Sequence, residues 1–140
     1  MLKTIDPLLT PELLALLARM GHGDVLAVVD RNYPAHAAGR PVIELPGVDA
    51  GEVLSAVLSV LPVDAFQDPP AWHMLVDDGS DGPAVPDIQS ILDRAEGRAV
   101  PFTGIDRHEF YARAPGSAGI IRTGETRPYA CFLIAKGVVA

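Results

Sequence analysis

The stretch Thr10-Pro-Glu-Leu-Leu-Ala-Leu-Leu-Ala-Arg-Met20-Gly-His-Gly-Asp-Val-Leu-Ala-Val-Val-Asp30 contains one complete helix-to-strand transition. Thr10 suits an N-cap, Pro11 the first helical turn, and Glu12 the positive end of a helix dipole. Leu13, Leu16, Leu17 and Met20 recur at helical spacing, and Gly21 stops the helix. Val25–Asp30 then reads as a buried strand, an apolar run closed by an aspartate. The rest of the chain continues this alternation. Pro41–Leu45 is a short second strand. Asp49-Ala-Gly-Glu52 is a capping-box pattern with aspartate in the cap role. It opens a helix whose apolar face is Val53, Leu54, Val57, Leu58 and Leu61, ended by Pro62. Trp72–Val76 reads as a strand, and Pro86 starts a helix carrying Ile88, Ile91, Leu92 and Ala95. Val100–Ile105 is a strand. Asp106-Arg-His-Glu109 repeats the capping logic and predicts a helix with Phe110, Tyr111 and Ala114 inward. Ser117–Arg122 and Tyr129–Ala135 are the last strands, joined by a turn region, Gly124–Pro128.

Strands alternating with helices predict an α/β protein with a largely parallel sheet flanked by helices. The last two strands are close enough for a hairpin, which would make the sheet mixed. The 140 residues show no repeat, linker or low-complexity segment and are read as one domain over 1–140. The apolar share of 49% fits a globular core.

The net charge of −7 argues against nucleic-acid binding, which needs a basic face. The acidic run Asp77-Asp-Gly-Ser-Asp81 is read as a solvated loop because a calcium loop needs a longer series of oxygen ligands. Cys131, the single cysteine, excludes an internal disulfide and fits a reducing compartment. No signal-peptide core and no apolar run of about 18 residues is present, so the expectation is a cytoplasmic protein without a membrane partner. The four histidines show no ligand spacing, and there is neither a phosphate-cradling glycine loop nor a G-x-S-x-G elbow. No metal and no cofactor is expected.

Three side chains stand out for chemistry. His22 lies between two glycines, so its ring has little cover from its neighbours and can face a cavity. The alternative is a histidine that only stabilises the helix dipole. Asp30 ends a buried strand and Arg107 follows the strand Val100–Ile105. Strand carboxyl ends are where open α/β sheets bind ligands. Histidine and carboxylate together can move protons near neutral pH. Cys131 is either a thiol nucleophile or a small buried hydrophobe; it sits in an apolar strand with no base adjacent in sequence. His73, inside a strand, reads as a core or interface group.

Several motifs together carry a resemblance. Leu2-Lys-Thr-Ile5, Leu9-Thr-Pro-Glu-Leu-Leu14, Met20-Gly-His-Gly-Asp24 and Asp30…Asn32…Pro34-Ala-His36 come first. Phe110-Tyr-Ala-Arg113, Thr123-Gly-Glu125 and Lys136-Gly-Val138 follow. In this order, over nearly the whole chain, they resemble the D-ribose pyranase / L-fucose mutarotase family. The resemblance implies a ribose pyranase-like fold assembled into symmetric rings, a decamer. It implies His22 as catalytic acid/base and Asp30 as a sugar contact. Arg107 leans toward the fucose branch, since the ribose branch carries histidine there; a one-residue shift would substitute His108. Tyr129-Ala130-Cys131 matches a sugar-lining segment that is usually Tyr-Gly-Asn, and His36 matches a histidine placed here at the site's edge. A thiol cannot replace the donors and acceptor of an amide, so Ala130 and Cys131 leave the sugar open. The implied reaction is anomer exchange of a monosaccharide, L-fucose first, by ring opening and closure. D-ribose pyranose–furanose exchange and non-catalytic sugar binding are the alternatives.

Overall fold

Local hydrogen bonds start the helices where capping residues occur. In the computed structural model, which describes residues 1–140, the Thr10 hydroxyl accepts the Leu13 N–H at 3.3 Å and opens α1 (Pro11–Arg19). Asp49 takes the Glu52 N–H at 2.8 Å and opens α2 (Ala50–Leu58). Asp106 takes the Glu109 N–H at 2.9 Å and opens α4 (Arg107–Arg113). Between them, α3 (Val85–Glu96) has proline in its first turn but no side-chain cap, and it ends at Gly97 with φ +67°.

The strands are β1 (Val25–Val29), β2 (Val42–Leu45), β3 (Ala71–Met74), β4 (Phe102–Ile105), β5 (Gly119–Thr123) and β6 (Phe132–Ala135). They form one sheet in the order β2-β5-β1-β6-β3-β4. β2 with β5, β5 with β1, and β3 with β4 are parallel; β6 runs antiparallel to both β1 and β3. The sheet is therefore mixed, but not through a terminal hairpin. β1 lies between β5 and β6. Residues 124–131 do not close a hairpin between β5 and β6: the Gly124 N–H donates to Val48 O at 2.7 Å and Glu125 O accepts the Arg31 N–H at 3.3 Å. The chain is thereby carried across the end of β1. Gly124 also passes so close to the Pro46 carbonyl that a Cβ would collide with it.

Alternation along β1 divides the core. Leu26 and Val28 face α1, α2 and α3, packing with Leu13, Leu54, Ile88, Leu92, Phe132 and Ile134. Ala27 and Val29 face the other way, with Phe110 and Ala114 from the α4 side, Ile105, Ile120 and Leu133. Both faces of β1 are covered, which is why it reads as an uninterrupted apolar run.

Two local expectations change. Tyr111 is 37% exposed rather than inward, because it follows Phe110 by about 100° around the helix and Phe110 holds the core position. Tyr129 lies outside β6, in the left-handed region at φ +60°. His36 sits on a short 3-10 turn, Ala35–Ala38. No helix is long and apolar enough to cross a membrane.

Candidate active site

Parallel strands bring their carboxyl ends to one edge of the sheet, and a cavity of about 260 Å³ opens there. Asp30, Asn32 and Tyr33 enter it from the end of β1, Met74 from β3, and Arg107 and Tyr111 from α4. Pro128, Tyr129 and Cys131 complete it, because the antiparallel β6 begins at this same edge. A larger depression of about 620 Å³ between α2, α3 and residues 6–8 contains none of the residues singled out for chemistry.

Asp30 is held before any ligand arrives. One carboxylate oxygen accepts the Asn32 N–H at 2.9 Å, and the other lies 3.6 Å from the Cys131 sulfur. Burial, reinforced by the Asp30 charge, pushes the Cys131 thiol well above its ordinary range, so it faces Asp30 as a neutral donor. Burial first, and then neighbouring Cys131 and Tyr111, raise the Tyr33 phenol and keep it protonated. Arg107 donates from Nε to Asp77 Oδ1 at 3.2 Å, a bond that raises its guanidinium pKa further. Arg107, and not the exposed His108, lines the cavity. Tyr129 adopts a conformation that costs a non-glycine residue about 1–2 kcal/mol, so its surroundings must impose it. Carboxylate, cation, phenols and a thioether floor make a recess suited to a small polyhydroxylated molecule.

His22 is elsewhere. It precedes β1 while Asp30 follows it, and a five-residue strand spans about 17 Å. His22 therefore belongs to the opposite edge of the sheet. There its Nε2 lies 3.0 Å from Asp64 Oδ1, in a buried carboxylate. Asp64 also accepts the Phe66 N–H at 3.0 Å and the Gln67 amide at 2.7 Å. Burial works to raise the Asp64 pKa, but the bonds from Gln67, Phe66 and His22 outweigh it and bring it to about 2. The carboxylate is therefore ionised and can only accept. The His22 proton sits on Nε2, leaving the Nδ1 lone pair available in the neutral ring. The ring is half exposed, with Phe66 edge-on at 5.3 Å. This dyad can take up and return a proton.

The remaining sequence candidates lie outside the cavity lining. His36 hydrogen bonds through Nε2 to Glu44 on β2 at 2.9 Å, and Glu44 also pairs with Arg122. Ala130 is buried in the core beside α2 and α3. Asn32, Tyr33, Met74 and Tyr111 line the cavity, and Asp64 meets His22 at the other edge, without having been singled out as site residues. The helical phase of Tyr111 relative to Phe110 carries a signal for it. Asp64 has none: it meets His22 only through tertiary folding. No group of three or more histidine, cysteine or carboxylate side chains is arranged to hold a metal ion.

Comparison with known proteins gives the family and the fold. Human fucose mutarotase is 39% identical over 147 residues, covering 99% of this chain and 95% of the human one. A structure of the fucose mutarotase from Streptococcus pneumoniae in complex with L-fucose superposes with a TM-score of 0.92 at 33% identity, covering 99% and 100% of the two chains. Bacillus subtilis RbsD, solved with D-ribose, shares the fold at a TM-score of 0.79 and 20% identity over the full length of both chains. The model of the RbsD / FucU transport protein family matches residues 3–139, and the chain belongs to that family.

Proposed function

We propose that this protein is a sugar mutarotase acting on L-fucose, as one domain over 1–140, with each site built from two copies of the chain. One observation carries the reading. Asp30, Arg107 and Tyr129 share a cavity at one edge of the sheet, while the His22–Asp64 pair stands at the other. One chain cannot bring them together, but head-to-tail contact can place the His22 edge of one copy over the cavity of the next. Such a heterologous contact closes into rings. Phe66 and Val138, both exposed, lie at the His22 edge and supply apolar surface for the contact. A decamer made of such rings, in the cytoplasm, is the assembly this reading expects. The human and streptococcal relatives support the sugar.

Anomer exchange needs no net oxidation and no covalent intermediate. The anomeric hydroxyl loses a proton, the ring oxygen gains one, the ring C–O bond breaks, and closure on the other carbonyl face reverses each change. His22 takes and returns the proton at Nδ1, with Asp64 stabilising the imidazolium. Asp30 accepts a sugar hydroxyl, and Arg107 and Tyr129 orient the ring.

Saturation-transfer NMR on equilibrated L-fucose and D-ribose tests the activity, and subunit mixing tests the architecture. His22→Ala and Asp30→Asn are each expected to be nearly inactive. Coexpressed, they should recover about a quarter of wild-type exchange, because a random ring pairs an intact cavity with an intact neighbouring His22 in that share of contacts. No recovery would refute the two-copy site. Acceleration with D-ribose alone would move the chain to pyranose–furanose exchange.

A further inference from the structure

The Thr123-Gly-Glu125 motif takes no part in the chemistry above, yet it lies where the two walls of the cavity are joined. Glu125 is 4% exposed. Its carbonyl accepts the Arg31 N–H at 3.3 Å. Its own N–H donates to the Thr123 hydroxyl at 3.1 Å, and that hydroxyl donates to Val29 O at 2.9 Å. These bonds fasten Glu125 to the wall that presents Asp30. Its carboxylate turns the other way, accepting the Thr126 N–H at 3.1 Å and the Arg127 Nε at 2.6 Å. Arg127 extends on to Asp87 of α3 at 3.3 Å.

Stability alone is a poor account of this pair. A buried carboxylate is costly even when paired, and apolar residues of similar size usually serve a core at least as well. What needs holding is the next wall. Only Pro128, whose ring fixes its φ, separates Arg127 from Tyr129, so the direction set at Arg127 passes stiffly to Tyr129. Tyr129 occupies a left-handed conformation that an unrestrained tyrosine would leave. Opposite it, Gly82 approaches so closely that an added Cβ would lie 3.3 Å from the Tyr129 Cβ.

We propose that Glu125, through its ion pair with Arg127, is a positioning residue that fixes Tyr129 relative to Asp30 in the sugar cavity. The proposal rests on the mutarotase reading of that cavity. Glu125→Ala alone would leave the partly exposed Arg127 without its buried partner, so the decisive variant is the apolar double replacement Glu125→Met with Arg127→Met. It should melt close to wild type. Its KM for L-fucose should rise about tenfold with kcat within about twofold, the signature of lost binding orientation. Amide hydrogen exchange at residues 126–131 should accelerate about tenfold, with β1 and β6 unchanged. Wild-type KM together with wild-type exchange in that segment would overturn the proposal. So would a large fall in melting temperature with exchange accelerated throughout the chain, which would make the pair a general stabiliser. If the wild-type chain itself leaves L-fucose exchange unchanged, the mutarotase reading falls, and the exchange comparison still decides whether Glu125 holds the Tyr129 segment.

Discussion

Replacing Asp64 by asparagine removes one charge from the His22 pair while keeping its shape. The Asp64 oxygen facing His22 also accepts the Phe66 N–H. That backbone donor obliges the asparagine to place its oxygen, not its NH2, at the same point. His22 keeps its Nε2–H donor and its tautomer, and Gln67 can meet the new NH2 by turning its amide. What is lost is the negative charge. The Asp64 pKa lies at about 2 against an ordinary 3.8, and that gap corresponds to about 2 kcal/mol favouring the charged native form. A lowered carboxylate pKa stabilises above the unfolded value and is lost as the pH falls through the folded one. Asp64→Asn should therefore be less stable by about 2 kcal/mol at pH 7, melting about 5–10 °C lower. The difference should narrow steadily below about pH 4.

The kinetic loss follows from the same charge. Two unit charges about 4 Å apart interact by about 1–4 kcal/mol between bulk water and a protein surface. With the His22 ring half exposed, about 2 kcal/mol is reasonable, or roughly a thirtyfold lower rate of L-fucose exchange. Asp64→Leu also loses the positioning bond and should fall further, by about 10²–10⁴ in all. Saturation transfer at pH 7 measures both. A folded Asp64→Asn enzyme with the wild-type rate would show that the charge is idle. A folded Asp64→Leu enzyme with that rate would refute a role for the pair.

His73 is buried with its Nδ1 unpartnered, and burial lowers its pKa despite the nearby Asp81. The unfolded chain then binds this proton more readily, so stability falls as the pH drops below about 6.5; His73→Leu should flatten that part of the melting profile, and parallel profiles for the two proteins would contradict it. Phe132 is fully buried between β1 and β3, and Phe132→Ala should cost about 3–5 kcal/mol in denaturant unfolding. Cys131, 2% exposed with its pKa raised, should resist thiol reagents at pH 7.5 until the chain unfolds, and prompt labelling of the native protein would contradict the burial.

What is legible in this sequence is what depends on neighbours. The starts of α1, α2 and α4 each rest on one side chain meeting an N–H three residues on, and all three are visible as Thr10, Asp49 and Asp106. β1 is visible because both its faces are covered. The order of the sheet is not visible. β5 and β6 are both apolar and nearly consecutive, so a hairpin is the natural inference, and only long-range bonds from Gly124 and Glu125 send the chain past β1 instead. The site divides the same way. The placement of Asp30 and Arg107 at one edge of the sheet is legible because each follows a strand. Asp64 is not, since its meeting with His22 is tertiary.

The hardest relation is between His22 and Asp30, which look adjacent in the sequence. An extended strand separates them, so nearness along the chain becomes distance across the sheet. That inversion bears directly on function. If both groups serve one sugar, no folded monomer holds a complete site, and activity per chain must depend on assembly. Dilution below the dissociation constant of the ring should then abolish exchange while each chain stays folded, whereas a site contained in one chain would keep its activity at any dilution.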